Sequence, residues 1–281
     1  MISEAIATVS ASNTTTSSQN TTTVSSSTAA TIATNVSTTD TSYSDDNIQI
    51  NLETITTNNT TVYVADIQVS SAEYLKTALA QNTYGTNITA KTSETAAANN
   101  AILAINGDYY GANSTGYVIK NGILYRDAVR DNASYGDLVI YADGSFEIVY
   151  EDEVTAQELI DQGVVNLLAF GPALVKNGEI VVDTSTEVGR AMASNPRTAI
   201  GIIDENHYII VVADGRTTES EGLSLYQMAE IMKEYGATTA YNLDGGGSST
   251  LYFNGQVINN PTTNGNTISE RAVSDIVYIG Y

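Results

Sequence analysis

The chain of 281 residues is 42% hydrophobic and carries a formal charge of -21. That is enough apolar material for one large domain or two small ones, in a field that repels nucleic acid and anionic membrane surfaces. It contains no cysteine, which excludes a disulfide framework, a thiolate nucleophile and a thiolate metal site.

No apolar run reaches the ~18 residues that span a bilayer, and the start, MISEAIATVS, lacks the basic and apolar regions of a signal peptide. Residues 10–44 are dominated by Ser, Thr and Asn, with Asp40 as their one charge, too little apolar surface to offset the entropy of ordering. We therefore expect a disordered tail or spacer over 1–45 and a globular domain over 46–281. Two readings of the spacer stand side by side. It is a stalk below a membrane anchor or signal segment upstream, whose place Met1 has taken, or a featureless terminus.

From Asp46 the alternation in NIQINLETI (47–55) and TVYVADIQV (61–69) predicts paired strands. Hairpin turns are predicted at Asn121-Gly122, Asp143-Gly144, Asn177-Gly178 and Asn254-Gly255, each between apolar runs. Capping-box spacing at Ser70/Glu73, Thr155/Glu158 and Ser224/Gln227 predicts short amphipathic helices. In the last, Leu225, Met228, Ala229, Met232 and Tyr235 form one stripe and Gly236 stands at the C-cap. ETAAANN (94–100) reads as helix, and AILAIN (101–106) and TTAYNL (238–243) as strands. The fold class is α+β: a largely antiparallel or mixed sheet with several hairpins and a few packed helices.

Three apolar runs end in an acid beside glycine: Asn106-Gly107-Asp108, Asp214-Gly215 and Asp244 before Gly245, Gly246 and Gly247. Strand ends beside loops are where binding and catalytic groups gather. Consecutive glycines allow main-chain N–H groups to approach a ligand closely, although a bulge or tight bend would use them equally well. No Lys follows them as in a P-loop, and no G-x-G-x-x-G opens a helix. His207 is the single histidine, on an apolar strand, which argues against a Ser-His-Asp triad and a His-rich metal site. Chemistry must come from carboxylates, hydroxyls and arginines. An Asx turn is the bland alternative for each Asp-Gly, and the favoured one for Asp143. No metal site and no cofactor is predicted.

Taken together, AINGDYY (104–110), NPRTAIGI (195–202), VVADGRT (211–217), GLSLYQMAEIM (222–232), YNLDGGGSST (241–250) and ERAVSD (270–275) resemble the phosphodiester glycosidase family, in the family's order. The resemblance covers roughly residues 101–281. It implies hydrolysis of a sugar joined through its anomeric carbon to a phosphodiester, the sugar being alpha-linked N-acetylglucosamine in the animal member. Bacterial relatives resemble cell-surface or exopolysaccharide-related proteins, which implies a secreted or surface location. Where this chain has Asp108 the family often has glycine, which points to Asp108 tuning substrate choice.

On this resemblance Asp244 or Asp214 is expected to oppose the positive charge developing at the anomeric carbon. Arg197 and Arg271 are expected to hold phosphate oxygens through paired hydrogen bonds. The amides of Gly245–Gly247 with Ser248 would hold phosphate or sugar oxygens, and Asn106, Gly107 and Ser274 would complete the substrate site. A phosphomonoester, with a second pKa near ~6, departs with little help from a general acid. Two other readings remain: a hydrolase of a phosphate-free alpha-glycoside, and a non-catalytic glycan-binding module stacking sugars on Tyr109, Tyr110 and Tyr117. The partner is a sugar-phosphate or polysaccharide, not nucleic acid; the oligomeric state is left open.

Overall fold

The computed structural model describes residues 33–131, 133–186 and 194–281; most of the expected spacer lies outside them. In chain order the first strands are β1 (Ser37–Thr38), β2 (Ser42–Ser44), β3 (Ile48–Thr57), β4 (Thr60–Val69) and β5 (Leu75–Leu79), followed by helix α1 (Thr92–Ala98) and β6 (Leu103–Asn106). The middle of the chain gives β7 (Val118–Lys120), β8 (Ile123–Arg126), β9 (Asp137–Tyr141), β10 (Phe146–Val149), α2 (Ala156–Asp161), β11 (Val164–Leu168), β12 (Ala173–Lys176) and β13 (Glu179–Ile180). The remainder is β14 (Arg197–Asp204), β15 (His207–Ala213), α3 (Leu225–Glu234), β16 (Thr239–Asn242), β17 (Leu251–Phe253), β18 (Gln256–Val257) and β19 (Asp275–Ile279).

Nine strands form one sheet in the order β1-β2-β3-β4-β15-β14-β16-β12-β13, and five form a second, β18-β17-β6-β19-β5. A three-stranded sheet, β10-β9-β11, and the β7–β8 hairpin complete the set. Every pairing among these strands is antiparallel, so the α+β class holds. One boundary is corrected: β1 and β2 fall within the expected spacer, and Tyr43 is buried in the core because its phenol finds Asp45 at 2.6 Å.

The period-2 pattern explains the layers. On β15, Tyr208, Ile210 and Val212 face a core shared with Leu103 and Ile105 of β6 and with Val277 and Ile279 of β19. The alternate residues Ile209 and Val211 face a second core, closed by Leu225, Met228, Ala229 and Met232 of α3. β15 is therefore apolar on both faces because it is covered on both. Each fully buried Leu or Met contributes about 1.5–3 kcal/mol over its exposed state. On the far side of the five-stranded sheet, Ile276 and Tyr278 pack with Ala96 of α1.

Local signals held where the backbone required them. Asn121-Gly122, Asn177-Gly178 and Asn254-Gly255 all have positive φ, as a two-residue hairpin needs. At Asp143-Gly144 only Gly144 does, at +84°; Asp143 instead accepts the Ser145 N–H at 2.9 Å in an Asx turn. Ser70 does not cap a helix. Its hydroxyl goes to Asn47, and Ser71 opens a single 3-10 turn, Ala72–Tyr74.

The sheets end on short strands. β1, β13 and β18 are two residues each. At β5 the side chain of Asn121 donates to the Thr77 carbonyl at 2.9 Å.

Thr155 and Ser224 both form complete capping boxes. Thr155→Ala and Ser224→Ala are each expected to lower unfolding free energy by about 0.5–2 kcal/mol in urea denaturation, whereas Ser70→Ala leaves helix content by circular dichroism unchanged.

Candidate active site

The strand ends converge as the apolar pattern suggested, but the side chains divide. A hollow of about 130 Å³ is lined by Asp108, Tyr109, Gly111, Asp244, Arg271 and Ser274, with the Asn87–Thr89 loop closing it. Asp108 follows β6 and Asp244 follows β16, while Arg271 and Ser274 lead into β19. The Asn87–Thr89 loop is held by main-chain bonds: Asn87 N–H to the Gly111 carbonyl, and Ala90 to Val273 in both directions.

Asp244 and Arg271 face each other there. Arg271 Nη2 lies 3.2 and 3.1 Å from the two Asp244 oxygens and donates to the Gly245 carbonyl at 2.9 Å. Ser248 joins the pair, its hydroxyl donating to Asp244 Oδ2 at 2.6 Å and accepting from Arg271 Nε at 2.8 Å. Burial pushes the Asp244 carboxyl above the usual aspartate value, against the pull of Arg271, Ser248 and the Gly245 N–H. Arg271 Nη1 takes part in none of these bonds, and its side chain is 40% exposed.

Several expected ligand contacts are instead internal struts. Asn106, fully buried, donates to the Asp244 carbonyl at 2.7 Å and accepts from the Thr198 hydroxyl at 2.9 Å. Gly107 gives its N–H to the Asp275 carbonyl, and a Cβ there would meet the Asp275 carboxylate at 2.4 Å. Asp214 does not line the hollow: Asn259, the Asn260 amides and Tyr63 bond its two oxygens. Arg197 does not line it either, being buried with Nε on the Leu223 carbonyl at 3.0 Å.

The glycine run also differs from a bare amide cradle. The Gly246 N–H is taken by the Pro196 carbonyl at 2.9 Å. Added Cβ atoms would meet Pro196 at Gly245, the Arg216 guanidinium at Gly246 and Thr263 at Gly247. The glycines are there because three chain segments close on them. Tyr110 and Tyr117 are buried, which leaves Tyr109, 48% exposed and edge-on to Phe170, as the one exposed ring of the three expected to stack sugars.

Sequence reasoning missed Arg216, Lys120 and Asp275. Arg216 lies in the VVADGRT stretch; it adopts φ +65° and bonds the Thr263 carbonyl and the Asn195 side chain beneath the glycines. Lys120 is completely buried, between Asp108 and Asp275. Its signal was present: Lys120 and Val118 share one side of a strand by alternation.

A family model described as phosphodiester glycosidase matches residues 99–280. The chain is 34% identical over 186 residues to the SPbeta prophage-derived uncharacterized protein YomE of Bacillus subtilis (strain 168), covering 64% of this chain and 28% of that protein. It is 32% identical over 178 residues to mouse N-acetylglucosamine-1-phosphodiester alpha-N-acetylglucosaminidase, covering 57% of this chain and 33% of that protein. The chain thus spans about a third or less of the length of these curated relatives. The fold is similar to the catalytic domain of the zebrafish N-acetylglucosamine-1-phosphodiester alpha-N-acetylglucosaminidase, solved auto-inhibited by its pro-peptide. That match has a TM-score of 0.65 at 23% identity and covers 83% of each chain.

The hollow's walls pack closely at Gly111, where a Cβ would lie 2.0 Å from Ser274 Oγ. Gly111→Ala is expected to cost about 1–3 kcal/mol by overpacking, measured in urea. Adding Ser274→Gly should restore most of it; a double variant no more stable than the single one contradicts this wall-to-wall contact.

Proposed function

We infer a hydrolase from two facts: the chain belongs to the phosphodiester glycosidase family, and its hollow sets a buried carboxylate, Asp244, against the guanidinium of Arg271. The substrate is a sugar-1-phosphodiester. Arg271 holds the phosphate oxygens, because a planar guanidinium matches them through paired hydrogen bonds. Asp244 opposes the positive charge that develops at the anomeric carbon and serves as base for water. As the C1–O bond to phosphate breaks, its electron pair leaves with the phosphomonoester. The water oxygen bonds to C1, and its proton passes to Asp244.

Asp108 and Ser274, on the same hollow, orient the sugar, and Ser248 keeps Asp244 and Arg271 in register. Of the two arginines expected to hold phosphate, this assignment keeps Arg271 and not Arg197, and of Asp214 and Asp244 it keeps Asp244 for the carboxylate role. The observation that carries it is the Asp244–Arg271 pair at the hollow. The finer reading is an N-acetylglucosamine-1-phosphodiester in surface or extracellular polysaccharide of a bacterium. It is supported by the named activity of the mouse relative and by the polar stretch before β1. Tyr109 offers a stacking face for the sugar.

The test uses methyl N-acetylglucosamine-1-phosphate diester and a neutral aryl alpha-glycoside of the same sugar. Asp244→Asn should lower kcat on the diester by about 1000-fold or more with the fold intact, and Arg271→Met by about 100–1000-fold, on the scale of losing a transition-state donor. Arg271→Met should affect the neutral glycoside far less. Since burial raises the Asp244 pKa and the base must be ionised, kcat should fall on acidification at a pH above that of an ordinary aspartate. Turnover by Asp244→Asn close to that of the parent chain defeats the assignment.

A further inference from the structure

Behind Asp108 lie two charged groups that the reaction scheme does not use, Lys120 and Asp275. Lys120 Nζ donates to Asp108 Oδ2 at 3.1 Å, to Asp275 Oδ2 at 2.6 Å and to the Leu167 carbonyl at 3.1 Å. All three ammonium donors are thereby spent. Asp108 is held in place: Oδ1 accepts the Tyr110 N–H at 2.8 Å, and Oδ2 also accepts the Ala169 N–H at 3.0 Å, which leaves Oδ1 capacity to accept from a ligand. Asp275 is different, because its Oδ1 is buried without a hydrogen-bond partner.

The cluster joins the two sides of the hollow. Asp108 stands on one wall, and Asp275 directly follows Ser274 on the other. The missing side chain of Gly107 lets the Asp275 carboxylate lie against the Asp108 loop. Two carboxylates around one ammonium leave an uncompensated negative charge among buried side chains, and that is costly unless a proton remains. The least compensated oxygen of the cluster is Asp275 Oδ1, which no donor satisfies.

Building on the hydrolase reading, we propose that Lys120 and Asp275 are positioning residues for this site. Lys120 ties the Asp108 wall to the Arg271–Ser274 wall, and a proton kept on Asp275 leaves Lys120 to neutralise Asp108 alone. The groups facing Asp275 are Asp108 from the loop after β6, Lys120 from β7 and the phenol of Tyr110, whose ring lies 5.8 Å from Lys120 Nζ. Burial, and then the Asp108 charge, raise the Asp275 carboxyl to about 7, against the pull of Lys120. Burial likewise keeps the Tyr110 phenol protonated.

The sign of the pH effect follows from linkage. An aspartate raised from 3.8 to about 7 on folding makes the folded state bind more protons than the unfolded chain between those values. Its contribution to stability is full at low pH and is lost as pH rises through that window. Above about 7 the second carboxylate ionises beside Asp108 and loosens the tie.

The full chain, Asp275→Asn, Lys120→Met and the double variant are compared in two ways. The first is the thermal midpoint from pH 4 to 9 without substrate, using about 1 pH-unit steps to resolve the titration. The second is kcat and KM against pH on the methyl diester. Asp275→Asn should flatten part of the loss of stability between 3.8 and about 7, leaving the share that the raised Asp137 and Asp244 carboxyls contribute, and move the alkaline fall of kcat up by about 1 unit or more, with KM changed less than about threefold. Lys120→Met should lower kcat by about 100-fold or more through two facing carboxylates, with about tenfold recovered in the double variant.

A merely structural cluster would change the stability profile of Asp275→Asn but leave its kcat profile against pH parallel to that of the parent chain, and that result overturns the proposal. So does a Lys120→Met activity that tracks only its folded fraction. Should Lys120→Met fail to fold, Asp275→Asn carries the test. If the parent chain does not turn over the diester, the hydrolase reading and the positioning role resting on it fail together, while the substrate-free stability slope still decides whether Asp275 keeps its proton.

Discussion

The site depends on a buried polar seam between two sheets that otherwise meet through hydrocarbon. Asn106 at the end of β6 belongs to the five-stranded sheet, and its amide spans to Thr198 of β14 and to the Asp244 carbonyl after β16, both in the nine-stranded sheet. Arg271, leading into β19, reaches across to Asp244 and Gly245. Each of these groups would be costly to bury unpaired. Apolar faces can slide by small amounts with little penalty, but a seam of matched donors and acceptors has one good alignment. It sets how far apart the carboxylate and the guanidinium stand.

Much of the fold was legible because it is written in local chemistry. The Asn-Gly hairpins, the capping boxes at Thr155 and Ser224 and the stripe on α3 each depend on neighbours close in the chain. The β3–β4 pairing was also visible from alternation alone. The early sheet strands β1 and β2 were hidden because a few well-placed residues, such as Tyr43 with Asp45, order a stretch whose average composition is that of a spacer.

The site was legible by position and less so by direction. The motifs singled out Asp244, Arg271, Ser274 and Asp108, which share the hollow, and also Asp214, Arg197 and Asn106, which turn into the protein. A strand end tells where a side chain starts and not which neighbour it will satisfy; Asp214 is drawn to Asn259 and Asn260, more than forty positions away. Lys120 stands next to the Asn121-Gly122 turn, and beyond its alternation with Val118 nothing local in the chain marks it as buried. Only its two distant acids explain its burial. The triple glycine allowed either an amide cradle or a tight bend, and its bareness is needed by Pro196, Arg216 and Thr263 pressing from outside.

The short outer strands have a consequence for life at high concentration. An open sheet nine strands wide would ordinarily recruit a neighbouring molecule along its rim. Here β1, β13 and β18 present too few main-chain groups to template another strand, and Asn121 already occupies part of β5. Many copies crowded together could stay separate without relying on charge repulsion, which salt would screen.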